Sequence, residues 1–309
     1  MKNQLATIAA VLTVGLVAGC GGGGGSTPAT GAAVSTISGT VADGYLVGAT
    51  VFLDKNGNYQ LDADEPSTLT DANGAYTLKV DPADMGKYPI VAMAIKGQTI
   101  DKDTNQTVPN SYVLSMPASA ISGMANSNFI SPMSTLLREK MQGNPGMTFA
   151  DAMAQLRNQM NLQAGIDMMA DYIAGSQSGP NAAQYQAMHA NAQKMAGLMA
   201  GQAGLVMNGS GLNVNRYRGM MGTINSNMSA IAANTMNTTF MTGMMSQMQA
   251  QLGAMPMAGG FTNYSGMFRN MTSHRYFWNT TAGTTTPTTP MSGGMMNGTT
   301  TPPMSGGMM

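Results

Sequence analysis

The chain changes texture near Pro117, and that change commits it to a fold of two unlike parts. Before it, short runs rich in β-branched or aromatic residues recur: Ile37–Val41, Ala49–Leu53, Tyr76–Val80, Ile90–Ile95 and Ser111–Leu114. Asp43-Gly44, Asn56-Gly57 and Asn73-Gly74 punctuate them. This spacing predicts strands in a small sandwich of two sheets. After Pro117 the apolar period becomes helical. Ser131-Pro132 reads as an N-cap with proline at the first helical position. Thr148 and Asp151 have capping-box spacing, with Phe149, Met153, Leu156 and Met160 following on one face. Tyr185, Met188, Met195, Met199 and Val206 form a second face, and Tyr217, Met221, Ile224, Met228 and Ile231 a third. Met241, Met245, Met248 and Leu252 complete a set of four or five amphipathic helices. Beyond residue 117 methionine occurs 30 times and Leu, Ile, Val and Phe together 22 times, so methionine must build that core.

The N-terminus carries one cation at Lys2, an apolar run from Leu5 to Val17, then Ala18-Gly19-Cys20. This is the pattern of a secretory signal. Its apolar run is shorter than the about 20 residues that a spanning helix needs. A cysteine directly after Ala18-Gly19 resembles the lipobox of bacterial lipoproteins. The resemblance implies removal of residues 1–19 and diacylation of Cys20, which becomes the first mature residue. Several acyl chains, at about 0.8 kcal/mol per buried methylene, make such an anchor permanent. Residues 20–35 then form a Gly-rich tether to the membrane. Gly21 stands where an aspartate would retain a lipoprotein in the inner membrane, so the expected location is the outer membrane, on either face. Cys20 is the only cysteine; with it acylated, disulfides, thiolate metal sites and cysteine nucleophiles are excluded.

The segments Ser38-Gly-Thr-Val, Gly48-Ala-Thr-Val-Phe-Leu-Asp and Thr70-Asp-Ala-Asn-Gly-Ala-Tyr-Thr-Leu resemble prealbumin-like modules. These include the B-type repeats of Gram-positive adhesins and the carboxypeptidase regulatory-like domain. The implied fold is a prealbumin-like β-sandwich over 36–117, a module that serves elsewhere as spacer, stalk or binding domain. Residues 118–279 follow as a Met-rich α-helical domain. Ile130-Ser-Pro-Met-Ser-Thr-Leu-Leu resembles the junction that precedes a helical domain in lipoproteins of environmental proteobacteria. Residues 280–309 are almost wholly Thr, Pro, Gly, Ser and Met, with Met-Ser-Gly-Gly-Met-Met starting at Met291 and again at Met304. Having nothing to bury, this tail is expected to be disordered.

Two constellations could hold metal. In the run from Asp54 to Glu65, oxygen side chains at Asp54, Asn56, Asn58, Asp62 and Glu65 have the spacing of an EF-hand calcium loop. The Gln60 backbone carbonyl would be a further ligand. Ca²⁺ takes 6–8 oxygens, commonly with a bidentate glutamate in the last position. Position 6 is Tyr59, where that loop prefers glycine. The plain alternative is a solvated acidic hairpin loop. The second constellation is methionine: Met241, Met244, Met245, Met248, Met255 and Met257, then Met291, Met295, Met296, Met304, Met308 and Met309. Their spacing resembles the thioether motifs of Cu(I)- or Ag(I)-binding proteins, since soft neutral sulfur selects monovalent copper. His189 beside Met188, or His274 near Met271, could add an imidazole. Within the helices, core packing is the favoured role of methionine. In the tail, copper ligation, sacrificial oxidation and neutral drift all stay open.

Catalysis finds no motif. The two histidines stand in no triad or metal spacing, and no nucleophile elbow or phosphate loop is present. Lys and Arg total 14 and so do Asp and Glu, which is no footprint for nucleic acid. His274-Arg-Tyr-Phe-Trp278 reads as an apolar patch that docks the C-terminal segment. The expected protein is a multidomain β plus α envelope lipoprotein, not an enzyme. It is lipid-anchored in the membrane and binds or scaffolds an envelope protein or polysaccharide. Copper binding is the rival function.

Overall fold

The structure, a computed structural model, describes residues 34–123, 127–208 and 211–256. The signal, Cys20, most of the tether, His274–Trp278 and the tail lie outside these residues. The chain is β plus α. The first part holds β1 (Ser35–Val41), β2 (Leu46–Val47), β3 (Thr50–Leu53), β4 (Ser67–Leu69), β5 (Ala75–Val80), β6 (Ile90–Ala94), β7 (Ile100–Asp101), β8 (Gln106–Thr107) and β9 (Tyr112–Met116). All five predicted runs are strands, because β-branched alternation suits a pleated surface covered on one face. In β5, Tyr76, Leu78 and Val80 are buried while Thr77 and Lys79 are exposed. β9 is buried along its whole length, since both its faces are covered.

One antiparallel sheet runs β4-β3-β6-β9 and a smaller one β2-β7-β8. A third sheet places β1 antiparallel to β5 and parallel to β10 (Asn128–Ile130). β10 lies beyond Pro117, in the stretch read as helical, and pairs back onto the first strand. A Cβ on Gly39 would lie 1.8 Å from the Asn128 carbonyl oxygen, so only glycine admits β10 at that register.

The helices are α1 (Pro132–Gly143), α2 (Phe149–Gln159), α3 (Tyr172–Gly175), α4 (Ala182–Gly201), α5 (Ala203–Val206), α6 (Val214–Ser226), α7 (Met228–Ala233) and α8 (Thr238–Ala254). α1 starts where the sequence says it should. Ser131 and Ser134 cap each other's backbone N–H groups, and Pro132 occupies the first turn. Thr148 caps α2 by accepting from the Asp151 N–H. No helix among the described residues is long and apolar enough to cross a membrane.

α1 is the hub. It packs on β9 and β10 on one side and on α2, α4 and α6 on the other. β9 ends its sheet, and an open edge needs cover. Thr135 Oγ1 accepts the Ser115 N–H at 2.8 Å, and Ser134 Oγ donates to the Ser115 carbonyl at 2.7 Å. Tyr217 from α6 donates to the Val113 carbonyl at 3.1 Å. One apolar core therefore runs from Ile37 to Leu252 without a break at Pro117. In its helical half Met188, Met195, Met199, Met221, Met228 and Met248 are buried, so the predicted methionine faces are core.

Candidate functional site

The loop from Asp54 to Glu65 joins β3 to β4 and closes on itself. Asp54 Oδ1 accepts the N–H groups of Gly57 and Asn58 at 2.9 and 3.0 Å. Asn56 Oδ1 accepts from the Asn58 N–H at 3.0 Å, and Asn58 Oδ1 from the Gln60 N–H at 2.7 Å. The amides of Asn56 and Asn58 both donate to Asp62 Oδ2, at 2.7 and 2.8 Å. Glu65 clamps the two ends: Oε1 accepts from the Lys55 N–H at 2.7 Å and Oε2 from the Asp62 N–H at 3.1 Å. Burial holds the Glu65 carboxyl above the ordinary glutamate range. The five side chains singled out in the sequence thus share one small ring. All offer hard oxygen donors, which suits a hard cation. Among the described residues, no three His, Cys, Asp or Glu side chains group closely enough to hold a metal by themselves. Any site here needs the asparagine oxygens and backbone carbonyls as well.

Tyr59 is the informative departure. Its φ is 61°, the left-handed conformation that glycine supplies at this position of a calcium loop. A tyrosine bears this strain, on the order of 1 kcal/mol or more, because its side chain is fully buried. The ring drops out of the loop onto α1. Its hydroxyl donates to Glu139 and, at 3.1 Å, contacts Gln142 Oε1. The Arg138 guanidinium stacks 4.0 Å above the ring, and the Tyr217 ring lies 4.8 Å away. Arg138 also forms a 2.9 Å ion pair with Asp54 Oδ2, with side chains 2% and 0% exposed. Loop positions 1 and 6 are therefore both fixed to neighbouring residues of one helix. Burial pushes the Glu139 carboxyl up and the Tyr59 hydroxyl far up, so both favour their neutral forms.

Sequence reasoning missed this bed. Arg138-Glu139-Lys140 looks like a solvated charge run, yet all three are buried. Lys140 points away from the loop and donates to Asn225 Oδ1 at 3.1 Å and Gln159 Oε1 at 3.3 Å. Burial lowers its ammonium to about 8. The available signal was rarity: with only 9% of residues charged, three in a row inside an amphipathic helix are unusual. A second missed constellation gathers Asp43, Asp101, Asp103, Tyr112, Tyr172 and His189 where the β7–β8 turn meets α4.

The methionines divide. Met244 and Met248 are buried in the core, while Met241, Met245 and Met255 are partly buried against it. Met241 and Met245 line a shallow groove of about 350 Å³ between α4 and α8, with Lys194, Gly197 and Leu198 opposite. Met245 sulfur accepts from Gln202 Nε2 at 2.9 Å. Met188 is fully buried, and His189 pairs with Asp103 instead. Met257, Met291, Met295, Met296, Met304, Met308 and Met309, like His274, lie outside the described residues. In comparisons with known proteins, no family model, no curated protein and no solved structure matches the chain.

Proposed function

We propose that this chain is a lipid-anchored cell-envelope protein, acylated at Cys20, that works as a non-catalytic binding or scaffold module. Its first part is a prealbumin-like β-sandwich carrying a structural Ca²⁺ in the loop from Asp54 to Glu65. The supporting observation is the loop itself: five oxygen-bearing side chains converge, and Tyr59 adopts the left-handed backbone of a calcium loop. Asp54, Asn56, Asn58, Asp62 and Glu65 would hold the ion with the Gln60 carbonyl. The ion supplies two positive charges to three carboxylates and stiffens the loop. Because Asp54 and Tyr59 also grip α1, a stiff loop fixes the β part to the helices. A rigid, anchored platform is what a scaffold requires.

Two measurements test the reading. Calorimetry of the mature protein in excess Ca²⁺ and in chelator should separate the melting temperatures by roughly 5–10 °C. An ion present at 100 times its Kd contributes about 2.7 kcal/mol, and 1 kcal/mol moves Tm by about 2–4 °C at this size. Asp62→Asn with Glu65→Gln should abolish the difference while sparing the Asp54–Arg138 pair. Equal melting with and without Ca²⁺ removes the calcium site. For the anchor, Cys20→Ser should move the protein from the membrane to the soluble fraction; retention in the membrane overturns it.

A second reading, Cu(I) or Ag(I) binding, is supported by Met241 and Met245 lining one groove together. Cu(I) titrated into the full chain, into a chain lacking 280–309 and into Met241→Leu/Met245→Leu would locate the thioethers. No stoichiometric binding at micromolar copper removes this reading.

A further inference from the structure

A turn of the β part and two helices meet at a seam built from acids, phenols and one imidazole. The turn is Asp43-Gly44, between β1 and β2, and the β7–β8 hairpin loop lies against it. A Cβ on Gly44 would lie 2.3 Å from Asp101 Oδ1 and 2.7 Å from Asp103 Oδ2, so both carboxylates press on that backbone. From α4, His189 Nε2 stands 2.6 Å from Asp103 Oδ2, and Gln193 Nε2 donates to the same oxygen at 2.7 Å. From α3, Tyr172 donates to the Ala42 carbonyl at 2.9 Å while its ring stacks on His189 at 5.5 Å. Asp171, which caps α3, accepts from the Tyr45 hydroxyl at 2.8 Å. From β9, Tyr112 donates to Asp43 Oδ2 at 2.8 Å.

Two features of this seam have no structural explanation if every acid is ionised. Asp43 is buried, and its Oδ1 has no hydrogen-bond partner among the described residues. A buried carboxylate oxygen left bare is costly; a carboxyl is far less so. In addition, four aspartates (Asp43, Asp101, Asp103 and Asp171) converge here, and the described residues contain no lysine or arginine ion pair to any of them. Among the described residues, the basic side chain that pairs with them is His189, through Asp103.

We infer that the seam is a proton-operated latch: with Asp43 protonated it clamps the β7–β8 loop to α4, and loss of that proton releases the loop. Burial is the main cause that raises the Asp43 carboxyl, to about 7, with Asp101 and Asp103 adding to it and the Tyr112 hydrogen bond opposing it. The sign follows from proton counting. A closed seam holds the Asp43 proton up to that pH, whereas an opened seam, with Asp43 in water, gives it up near pH 4. Raising the pH across this window therefore favours opening. The loop is free to respond, being joined to the fold mainly by the two-residue strands β7 and β8.

Hydrogen exchange on the full chain tests this at about pH 5 and about pH 8, on either side of the Asp43 midpoint. Rates are corrected for intrinsic chemistry. One proton linked to opening changes the opening constant by up to about tenfold per pH unit. The expected result is at least a tenfold loss of protection in 99–107 and 171–176 at the higher pH, with β6 unchanged. Asp43→Asn, which keeps the hydrogen-bonding shape without the titration, should flatten the response. Equal protection of the wild type at both pH values overturns the latch. So does an Asp43→Asn variant that keeps the wild-type response, or a loss in β6 that moves in step with the seam. Carboxyl NMR of the unmodified protein is independent of any variant's folding. An Asp43 midpoint near 7 supports the latch, and one near 4 overturns it.

Discussion

Two charged joints tie the β part to the helices, and they are built on opposite principles. Under the loop, Asp54 meets Arg138 with both side chains essentially out of water. At the seam, Asp103 meets His189 with side chains 23% and 20% exposed. The first pair is fixed at every physiological pH, because a guanidinium does not titrate there. The second sits beside the buried Asp43, whose carboxyl burial raises to about 7, so its surroundings change charge with pH. A protein with so few charges has spent them unevenly, one joint permanent and one responsive. The permanent joint is the place to look for stability and the responsive one for regulation.

The largest expected effect comes from breaking the permanent joint. Arg138→Met leaves Asp54 buried without its cation, which should cost about 3–5 kcal/mol in chemical denaturation. Adding Asp54→Asn should return part of that loss, since the penalty lies in the orphaned charge rather than in the missing bond. A single variant costing under about 1 kcal/mol would mean that the two joints do not differ in kind.

Next comes the responsive joint. Burial holds the Asp43 carboxyl at about 7 in the folded chain, against 3.8 for an aspartate in water. The folded state thus binds a proton that the unfolded state has released, and stability falls as pH rises from about 4 to about 7, then levels. The difference between wild type and Asp43→Asn should follow that slope, to a ceiling of about 4 kcal/mol. A flat difference across this window would make the seam as indifferent to pH as the Arg138 joint.

The same contrast divides what was legible in the sequence. The strand runs, the Asn73-Gly74 turn, the Ser131 and Thr148 caps and the methionine faces depend on neighbours within a few residues, and periodicity exposes them. Neither joint does. Asp54 and Arg138 are 84 positions apart, and Asp103 and His189 are 86 apart, so nothing local distinguishes them from solvated charges. Tyr59 shows the limit well. In sequence it is a flaw in a calcium loop. In the fold its left-handed backbone and buried ring are one device, visible only once α1 lies beneath it. β10 was hidden for a related reason: three residues carry no period, and their partner is the first strand of the fold.

Tyr59→Phe refines the account of the permanent joint at smaller cost. The ring, its contact with Arg138 and the loop backbone survive, while Glu139 loses its buried donor. The expected loss is about 1–3 kcal/mol, the desolvation penalty of an acceptor left unpaired. It should be insensitive to Ca²⁺ if the hydroxyl serves only the helix. A loss that appears only in chelator would instead place Tyr59 in service of the loop.

The smallest effect should come from the residue type that dominates the helical half. Met195 is fully buried in α4, where methionine fills space that leucine could fill with nearly the same volume. Met195→Leu should change stability by less than about 1.5 kcal/mol, and leave both the pH response of the seam and the cost of Arg138→Met intact. Side-chain entropy adds to this expectation, since an unbranched thioether loses more rotamer freedom on burial than leucine does. Neutrality would assign specificity to the two joints and bulk to the methionines. A loss well beyond that figure would mean that the thioether does something at Met195 that volume does not capture, and the core would join the joints as a determinant of the fold.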